Sequence, residues 1–445
     1  MRSSSTSDPW PSSRQAWWAV FVFGVTLAVG YLDRGVITLM IEPIKHDLSL
    51  NDTQISLVMG FAFIAFYLVL GLPLARWIDG GHRRLILGSC VAVWSLCTAL
   101  CGVAQNFWQL ALFRVGVGAG DAGVSPAISS MIADLFPKEK LARAMSLLAL
   151  AFVCGNGLAL VLGGFVLGTL SKAGDLHLGL LGTFHPWQIT FLIVGLPGFL
   201  AALLYFTVPE PVRRGRSLDE PMAQTPSLLV VVRYLVSHWR VYGPMFGGLA
   251  LASILMFGTM AWTPAYFGRT HHWPPQQFGV TSGIVGLIAS PIGLFSGFRF
   301  TEWFIRRGWD DANLRLTVWS QWLGFPFMIA MPLMPTPQLA IAMLAIGNMI
   351  NVAAIGSQNA ALLTITPNKM RAQVTALYLV MFNVIGFGLG PTVIALLTDF
   401  VFGREELLRW SLLTAAVVLG PLAALILTLG LKPYGRAVAR AHGVH

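Results

Sequence analysis

Hydrophobic residues come in long blocks rather than in alternation, and short polar stretches separate the blocks. Twelve blocks are long enough to cross a bilayer, which takes roughly 17 to 25 residues. They run over about 16–41, 53–78, 84–103, 107–135, 141–170, 186–208, 242–268, 276–304, 312–333, 338–364, 371–399 and 407–431. The pattern predicts an all-α polytopic membrane protein. The longest polar interruption, 209–241, separates six blocks from six. It opens as a Pro-, Arg- and Glu-rich linker and continues into the apolar run SLLVVVRYLVSHWR, which reads as a helix lying on the inner leaflet. The expected layout is a tail over 1–15, a six-helix bundle over 16–208, the linker over 209–241, a second bundle over 242–432 and a tail over 433–445.

Composition agrees with this picture. Hydrophobic residues make up 56% of the 445 and charged residues 11%, against about 25% charged in soluble proteins. The net charge of +10 does not point to nucleic acid, because the bases sit in short loops. Arg83, Arg84, Lys138, Lys140, Arg143, Arg213, Arg214, Arg216, Arg306, Arg307, Lys369, Arg371 and the C-terminal bases all fall on one side, which positive charge marks as cytoplasmic. Both termini belong to that side, and the expected location is the inner cell membrane. Cys90, Cys97, Cys101 and Cys154 lie in apolar blocks and read as small packing residues. Metal chemistry has no support: His271 and His272 stand in a loop, and no Cys–His pattern is present.

The halves repeat. Asp79 is followed at plus four and plus five by Arg83 and Arg84, and Glu302 by Arg306 and Arg307, about half a chain length later. Pro137 with Arg143 is echoed by Pro367 with Arg371, and the Gly-rich fifth block by the eleventh. A duplicated bundle with a site between its copies is a transporter architecture. The two constellations at the cytoplasmic edge read as a gate (Asp79, Arg83, Arg84, Glu302, Arg306, Arg307).

Four charges stand inside apolar blocks: Asp33 and Arg34 in the first, Arg114 and Asp121 in the fourth. Each costs roughly 2.5–3.5 kcal/mol at membrane depth even on the mildest scale, so they mark a cavity, a partner or an ion path. Arg114 and Asp121 are two helical turns apart and share a face. Asp33 and Arg34 diverge by about 100° and need not pair with each other. In a dry cavity, burial disfavours an ionised carboxylate while a neighbouring Arg favours it. That competition suits a proton carrier whose neutral form releases an Arg to an anionic solute. The bland alternatives are a static buried ion pair and snorkelling to the interface. In the second half, Trp262, Tyr266, Asn348, Asn351 and Asn383 are candidates for lining the cavity. Gly118-Ala-Gly120-Asp-Ala-Gly123 spells a dinucleotide loop, but it lacks the preceding strand and the βαβ unit.

These residues resemble the major facilitator superfamily. The loop from Ala75 through Asp79 to Arg84 is similar to the signature between its second and third spans, with Ala75 and Gly80 departing from the usual Gly and Arg. Tyr31-Leu-Asp33-Arg34, FWQLALFRVGVGAGDA and Ile132-Ala-Asp134-Leu-Phe136 resemble the spinster-like group, with Asp121 where that group usually has Glu. The resemblance implies a rocker-switch secondary transporter, proton-coupled in prokaryotes, with Asp33, Arg34, Arg114 and Asp121 in proton or substrate coupling. The expected cargo is an amphipathic or anionic organic solute, lysolipid-like or an organic acid. The alternatives are an uncoupled facilitator, a drug or sugar-acid efflux carrier and, more distantly, a lipid-modifying membrane enzyme, for which no nucleophile–base cluster stands at the bilayer edge. The expected partners are the solute, protons and the bilayer, with no cofactor and no nucleic acid, and the expected state is a monomer.

Overall fold

In the computed structural model, residues 10–177, 183–213 and 226–441 are described. The linker residues 214–225, with Arg214 and Arg216, lie outside them, as does the side chain of Asp79. The chain is almost wholly helical. Helix α1 (Ser13–Leu39) is followed by α2 (Ile41–Leu48), α3 (Asp52–Ser56) and α4 (Ala62–Gly80), then α5 (Arg83–Cys101), α6 (Phe107–Asp121) and α7 (Val124–Leu135). Next come α8 (Lys138–Ala173), a two-residue antiparallel ladder of Leu176–His177 with Thr183–Phe184, and α9 (Pro186–Leu204). Helices α10 (Leu228–Ser237), α11 (Trp239–His271), α12 (Pro275–Arg306), α13 (Ala312–Ala330), α14 (Pro337–Ala353) and α15 (Ile355–Ile365) lead to α16 (Arg371–Met381), α17 (Gly390–Leu396) and α18 (Leu408–Ala441).

Ten helical stretches among the described residues are long and apolar enough to cross a membrane. The other two expected spans are helical but more polar. One is the α6–α7 pair, interrupted just after Asp121. The other is α13, which carries Arg315, Gln321 and Asn313. Helices α3 and α4 join through a π turn at Leu57–Phe61, and α16 and α17 through one at Phe382–Leu389. A second π turn, Leu397–Phe402, ends the eleventh span. Helix α10 forms where a surface helix was expected. Val231 is buried against Tyr242, Val374 and Tyr434, while Leu228, Leu229 and Val236 remain exposed.

Contacts divide the chain into two compact units: Met1–Val36 with Ala65–Glu220, and Ile37–Ile64 with Pro221–His445. The end of α1, the following loop and the start of the second span thus pack with helices of the second half of the sequence.

Within the first unit α6 lies against α5, and small residues set the separation. A Cβ on Gly116 would meet Cys97 Sγ at 2.4 Å, and one on Gly120 would meet the Cys90 carbonyl at 2.7 Å. The cysteines are therefore part of a close helix contact. Within the second unit α12 meets α14 and the start of α15 in the same way. A Cβ on Gly297 would stand 2.0 Å from the Ala353 carbonyl oxygen, which is backbone and cannot swing aside. Gly297→Val should therefore cost about 1–3 kcal/mol or more by overpacking and lower the melting temperature of the purified protein. Gly71→Ala, with nothing within 4 Å of the new carbon, should leave it unchanged or raised. Equal melting temperatures for Gly297→Val and wild type would refute this packing.

Candidate functional site

The four buried charges form two ion pairs, and the pairs cross between helices. Asp33 on α1 meets Arg114 on α6, with Nη1 3.6 Å from Oδ2. Its neighbour Arg34 meets Asp121 at the end of α6. Consecutive positions on α1 diverge by about 100°, so each reaches a different turn of α6. Arg114 and Asp121, on one face two turns apart, each pair with α1 rather than with each other.

The two pairs differ in environment. Asp33 is 2% exposed and Arg114 0%. Thr98 on α5 donates to Asp33 Oδ1 at 2.8 Å, so three helices are tied at one carboxylate. Thr98 was not among the expected site residues: a lone Thr in an apolar block carries no signal of its own. The Arg34–Asp121 pair is more open, with side chains 26% and 11% exposed. The guanidinium of Arg34 lies 5.7 Å from the centre of the Tyr31 ring. Asp121 closes α6, where the carbonyl end of the helix disfavours negative charge, and Arg34 offsets that cost.

The residues expected to form a cytoplasmic gate separate into two groups. Arg83 is 2% exposed and is bound to Asp134, to Glu210 (3.2 Å), to Ser130 Oγ (3.0 Å) and to the Pro211 carbonyl (2.8 Å). The backbone N–H of Arg84 donates to Glu210 Oε2 at 2.9 Å. These contacts stitch the second-to-third span loop to the end of the sixth span inside the first unit. Glu302 pairs with Arg306 one turn away (2.9 Å), both exposed, and Arg307 stacks over Trp303 at 3.9 Å.

The expected cavity-lining residues need correction. Trp262 and Tyr266 are 0% exposed. The Trp262 indole N–H donates to the Pro391 carbonyl at 2.8 Å, and the Tyr266 hydroxyl to the Met331 carbonyl at 3.2 Å. Both are packing residues here, placed by ring area and satisfied polar tips. Asn351 accepts from Gln321 (3.1 Å) and donates to the Gly347 carbonyl (2.9 Å), a helix–helix tie. Asn383 and Asn348 are both half-buried, and Asn383 bonds back to the Leu379 carbonyl.

A second charged cluster sits at the opposite helix ends, in the second unit. Asp52, 0% exposed, accepts two bonds from Arg269 (2.7 and 2.8 Å) and one from Lys45. Arg269 also binds Glu42 at 2.8 Å, and Lys45 binds Glu405 at 2.8 Å. Beside it, the backbone N–H and hydroxyl of Thr53 donate to Asp399 at 2.7 and 2.6 Å. The loop and helix start after the first span are thus clasped to the ends of α11 and of the eleventh span. In the sequence Lys45 and Arg269 are isolated bases in short polar stretches between apolar blocks, with no spacing that announces a buried cluster.

The sequence profile of the Major Facilitator Superfamily matches residues 23–391. The chain belongs to the Major Facilitator Superfamily. It is a multi-pass membrane transporter of that superfamily, whose members are carriers rather than enzymes. An MFS-type efflux pump of Mycolicibacterium smegmatis is 27% identical over 91% of this chain and 90% of the pump. Protein spinster homolog 1 of Xenopus tropicalis is 29% identical over 60% of this chain, and the match takes in 48% of that protein. Among solved structures, a bacterial homolog of the human lysosomal transporter Spinster, in an inward-facing and unoccupied conformation, aligns with 98% of this chain and 99% of its own. Its TM-score is 0.79 at 24% identity. A D-xylose–proton symporter aligns with a TM-score of 0.67 at 16% identity. This superfamily likeness covers both units and the loops carrying Arg83 and Arg306.

The two ion pairs should separate by mutation. Asp33→Asn or Arg114→Gln alone leaves an uncompensated buried charge, a loss of about 3–5 kcal/mol. The double variant should recover much of that loss. Asp121→Asn and Arg34→Gln should each cost less, because that pair is less completely buried than Asp33–Arg114. Thermal unfolding of the purified variants reads this directly. Strictly additive losses for Asp33 and Arg114 would dissolve the first pair as an energetic unit.

Proposed function

We propose that this transporter is a proton-coupled secondary carrier working by alternating access, and that its cargo is an amphipathic or anionic organic solute, lysolipid-like or an organic acid. The observation that carries the reading is the unequal exposure of two adjacent ion pairs. Asp33–Arg114, dry and tied to Thr98, holds α1 to α5 and α6. Arg34–Asp121 is the more exposed of the two, with side chains 26% and 11% exposed. A proton reaching Asp121 neutralises the carboxylate and removes its attraction for Arg34. The guanidinium then presents a charged, planar fork to a carboxylate or phosphate, with Tyr31 beside it as an apolar wall.

The clasp of Lys45, Asp52, Arg269 and Glu405 is proposed as the gate at the non-cytoplasmic end, with Thr53–Asp399 beside it. On the cytoplasmic side, Glu302, Arg306 and Arg307 are exposed and weakly held, which suits groups that change partners during the cycle, and Asp79, at the end of α4, is proposed to act with them. Arg83 and Arg84 brace the first unit from within. Both termini are placed in the cytoplasm and the protein in the inner cell membrane. A second reading, export of drugs or other solutes, is favoured by the efflux pump that matches nearly the whole chain. Uncoupled facilitation differs from both in one measurable respect.

That respect is the response to a pH gradient in proteoliposomes. A panel of lysophospholipids, sugar acids and small carboxylates is offered, and a true substrate should move severalfold faster with an imposed gradient. Asp121→Asn should retain exchange of labelled for unlabelled solute and lose the gradient response. Wild-type transport indifferent to the gradient would rule out coupling.

The gate makes a separate expectation. In a chain without its native cysteines, Thr53→Cys with Asp399→Cys puts two thiols in place of side chains that are in direct hydrogen-bond contact, at 2.6 Å. Oxidation should stop transport and a reductant should restore it. Undiminished transport in the oxidised form would show that this contact stays closed throughout the cycle.

A further inference from the structure

Where α11, α13, α14 and α18 end together in the second unit, a cavity of about 380 Å³ opens. Its polar lining is Thr270, His271 and Arg409; Leu333, Met334 and Trp410 contribute apolar walls. Three features mark it as more than a surface dent. The Thr270 hydroxyl oxygen is buried and, among the described residues, has no hydrogen-bond partner, which is costly for a polar atom away from water. Arg409 lies over Trp410 at 4.9 Å, with no acid within ion-pair distance among the described residues. The nearest acids along its own chain are committed or turned outward: Glu405 is bound to Lys45, and Glu406 is exposed.

The third feature is the histidine. The Tyr266 hydroxyl donates to the Met331 carbonyl, so its one proton is used. His271 Nε2, 3.0 Å from the same oxygen, must then be the donor. The Tyr266 bond thereby fixes the orientation of the ring at the pocket wall.

We propose that this cavity binds the phosphate of an anionic phospholipid headgroup. Arg409 supplies charge and Thr270 a hydroxyl donor, while Leu333, Met334 and Trp410 receive the start of the lipid's apolar part. The position supports a lipid over a free anion. Four membrane-crossing helices end at this level, Leu333 is 51% and Trp410 37% exposed, and an indole beside a cation is the usual furniture of a membrane–water boundary. A free phosphate would gain nothing from the apolar walls. The site is separate from the Arg34–Asp121 pair, which lies in the other unit, and does not depend on how the transport reading fares.

The test uses purified full-length protein and a short-chain phosphatidylglycerol bearing a photoreactive headgroup. Covalent labelling is mapped by peptide mass spectrometry. Label should appear at residues 331–336 or 408–411, and an unlabelled phosphatidylglycerol should compete for it. Inorganic phosphate and phosphatidylcholine should compete poorly. Arg409→Gln and the near-isosteric Thr270→Val should each weaken labelling there, by about tenfold for the loss of one charge-assisted bond. Exposed Arg306→Gln, at the far end of α12, should leave it intact. Should Arg409→Gln fail to fold, Thr270→Val and Arg409→Lys carry the comparison. Labelling elsewhere only, labelling unaffected by the Thr270 and Arg409 variants, or full competition by inorganic phosphate would each overturn the proposal.

Discussion

A charge in a hydrocarbon interior is tolerated when its field is met nearby, and the first unit is built around that constraint. Asp33 and Arg34 are adjacent, so their side chains leave α1 in different directions and cannot both serve one partner. Arg114 and Asp121 are about 10.5 Å apart along α6 at the usual rise per residue, so they cannot pair with each other either. The crossed arrangement satisfies all four. It also joins α1 to α6 at two heights, which fixes both rotation and register. Within that arrangement the two pairs have unlike surroundings. The dry pair adds the Thr98 hydroxyl, so losing any member leaves a charge with nowhere to go. The second pair is less completely buried, with side chains 26% and 11% exposed. Neighbouring residues on the same helical turn thus belong to pairs of unlike burial.

The clasp obeys the same rule with a different result. Asp52 is completely buried, yet both its oxygens are held by Arg269 and one also by Lys45. The two-point match between guanidinium and carboxylate fixes angle as well as distance. A contact of that kind is strong when formed and has no weaker intermediate geometry, which is what an element with two discrete states requires. The exposed Glu302–Arg306 pair on α12 is the opposite case. It is local and screened, and it holds nothing by itself.

Much of this was legible in the residues. All twelve predicted spans are helical, with ends displaced by a few residues except in the last, whose helix continues ten residues past its expected end to Ala441; about twenty apolar side chains leave a chain few alternatives in a membrane. The four intramembrane charges were visible for the same reason. Their partnering was not: spacing gives the direction of a side chain on its own helix, and the neighbour it meets depends on packing. Trp262 and Tyr266 were misplaced because an amphipathic ring looks the same in a sequence whether its polar tip faces a cavity or a carbonyl. Lys45, Asp52 and Arg269 were passed over because short polar loops normally carry charges for solubility and orientation. Burial is what sets these apart, and burial is a property of the folded chain. Thr98 gains its importance from its bond to Asp33, and Glu210 from its bonds to Arg83 and to the Arg84 backbone, which no periodicity announces.

The helix irregularities complete the physical picture. Among the described residues, π turns fall in the second span, at Leu57–Phe61, and in the eleventh, at Phe382–Leu389 and Leu397–Phe402. The first two of these touch. A Cβ on Gly60 would stand 2.5 Å from the Phe387 carbonyl oxygen, and the rings of Phe63 and Phe387 are 5.3 Å apart. Each wide turn interrupts the regular hydrogen-bond ladder, so a helix bends there at lower cost than elsewhere. The clasp residues Asp52 and Thr53 lie within one and a half turns of the first irregularity, and Asp399 lies inside the last. The fourth span is likewise broken directly after Asp121. Strong ion pairs and weakened helix turns therefore sit next to each other at both sites. Stiff helices held by such pairs would resist any change of state. Uniformly soft ones could not hold such pairs in register. Within each unit the combination keeps charged partners fixed while leaving a nearby helix turn that bends at low cost.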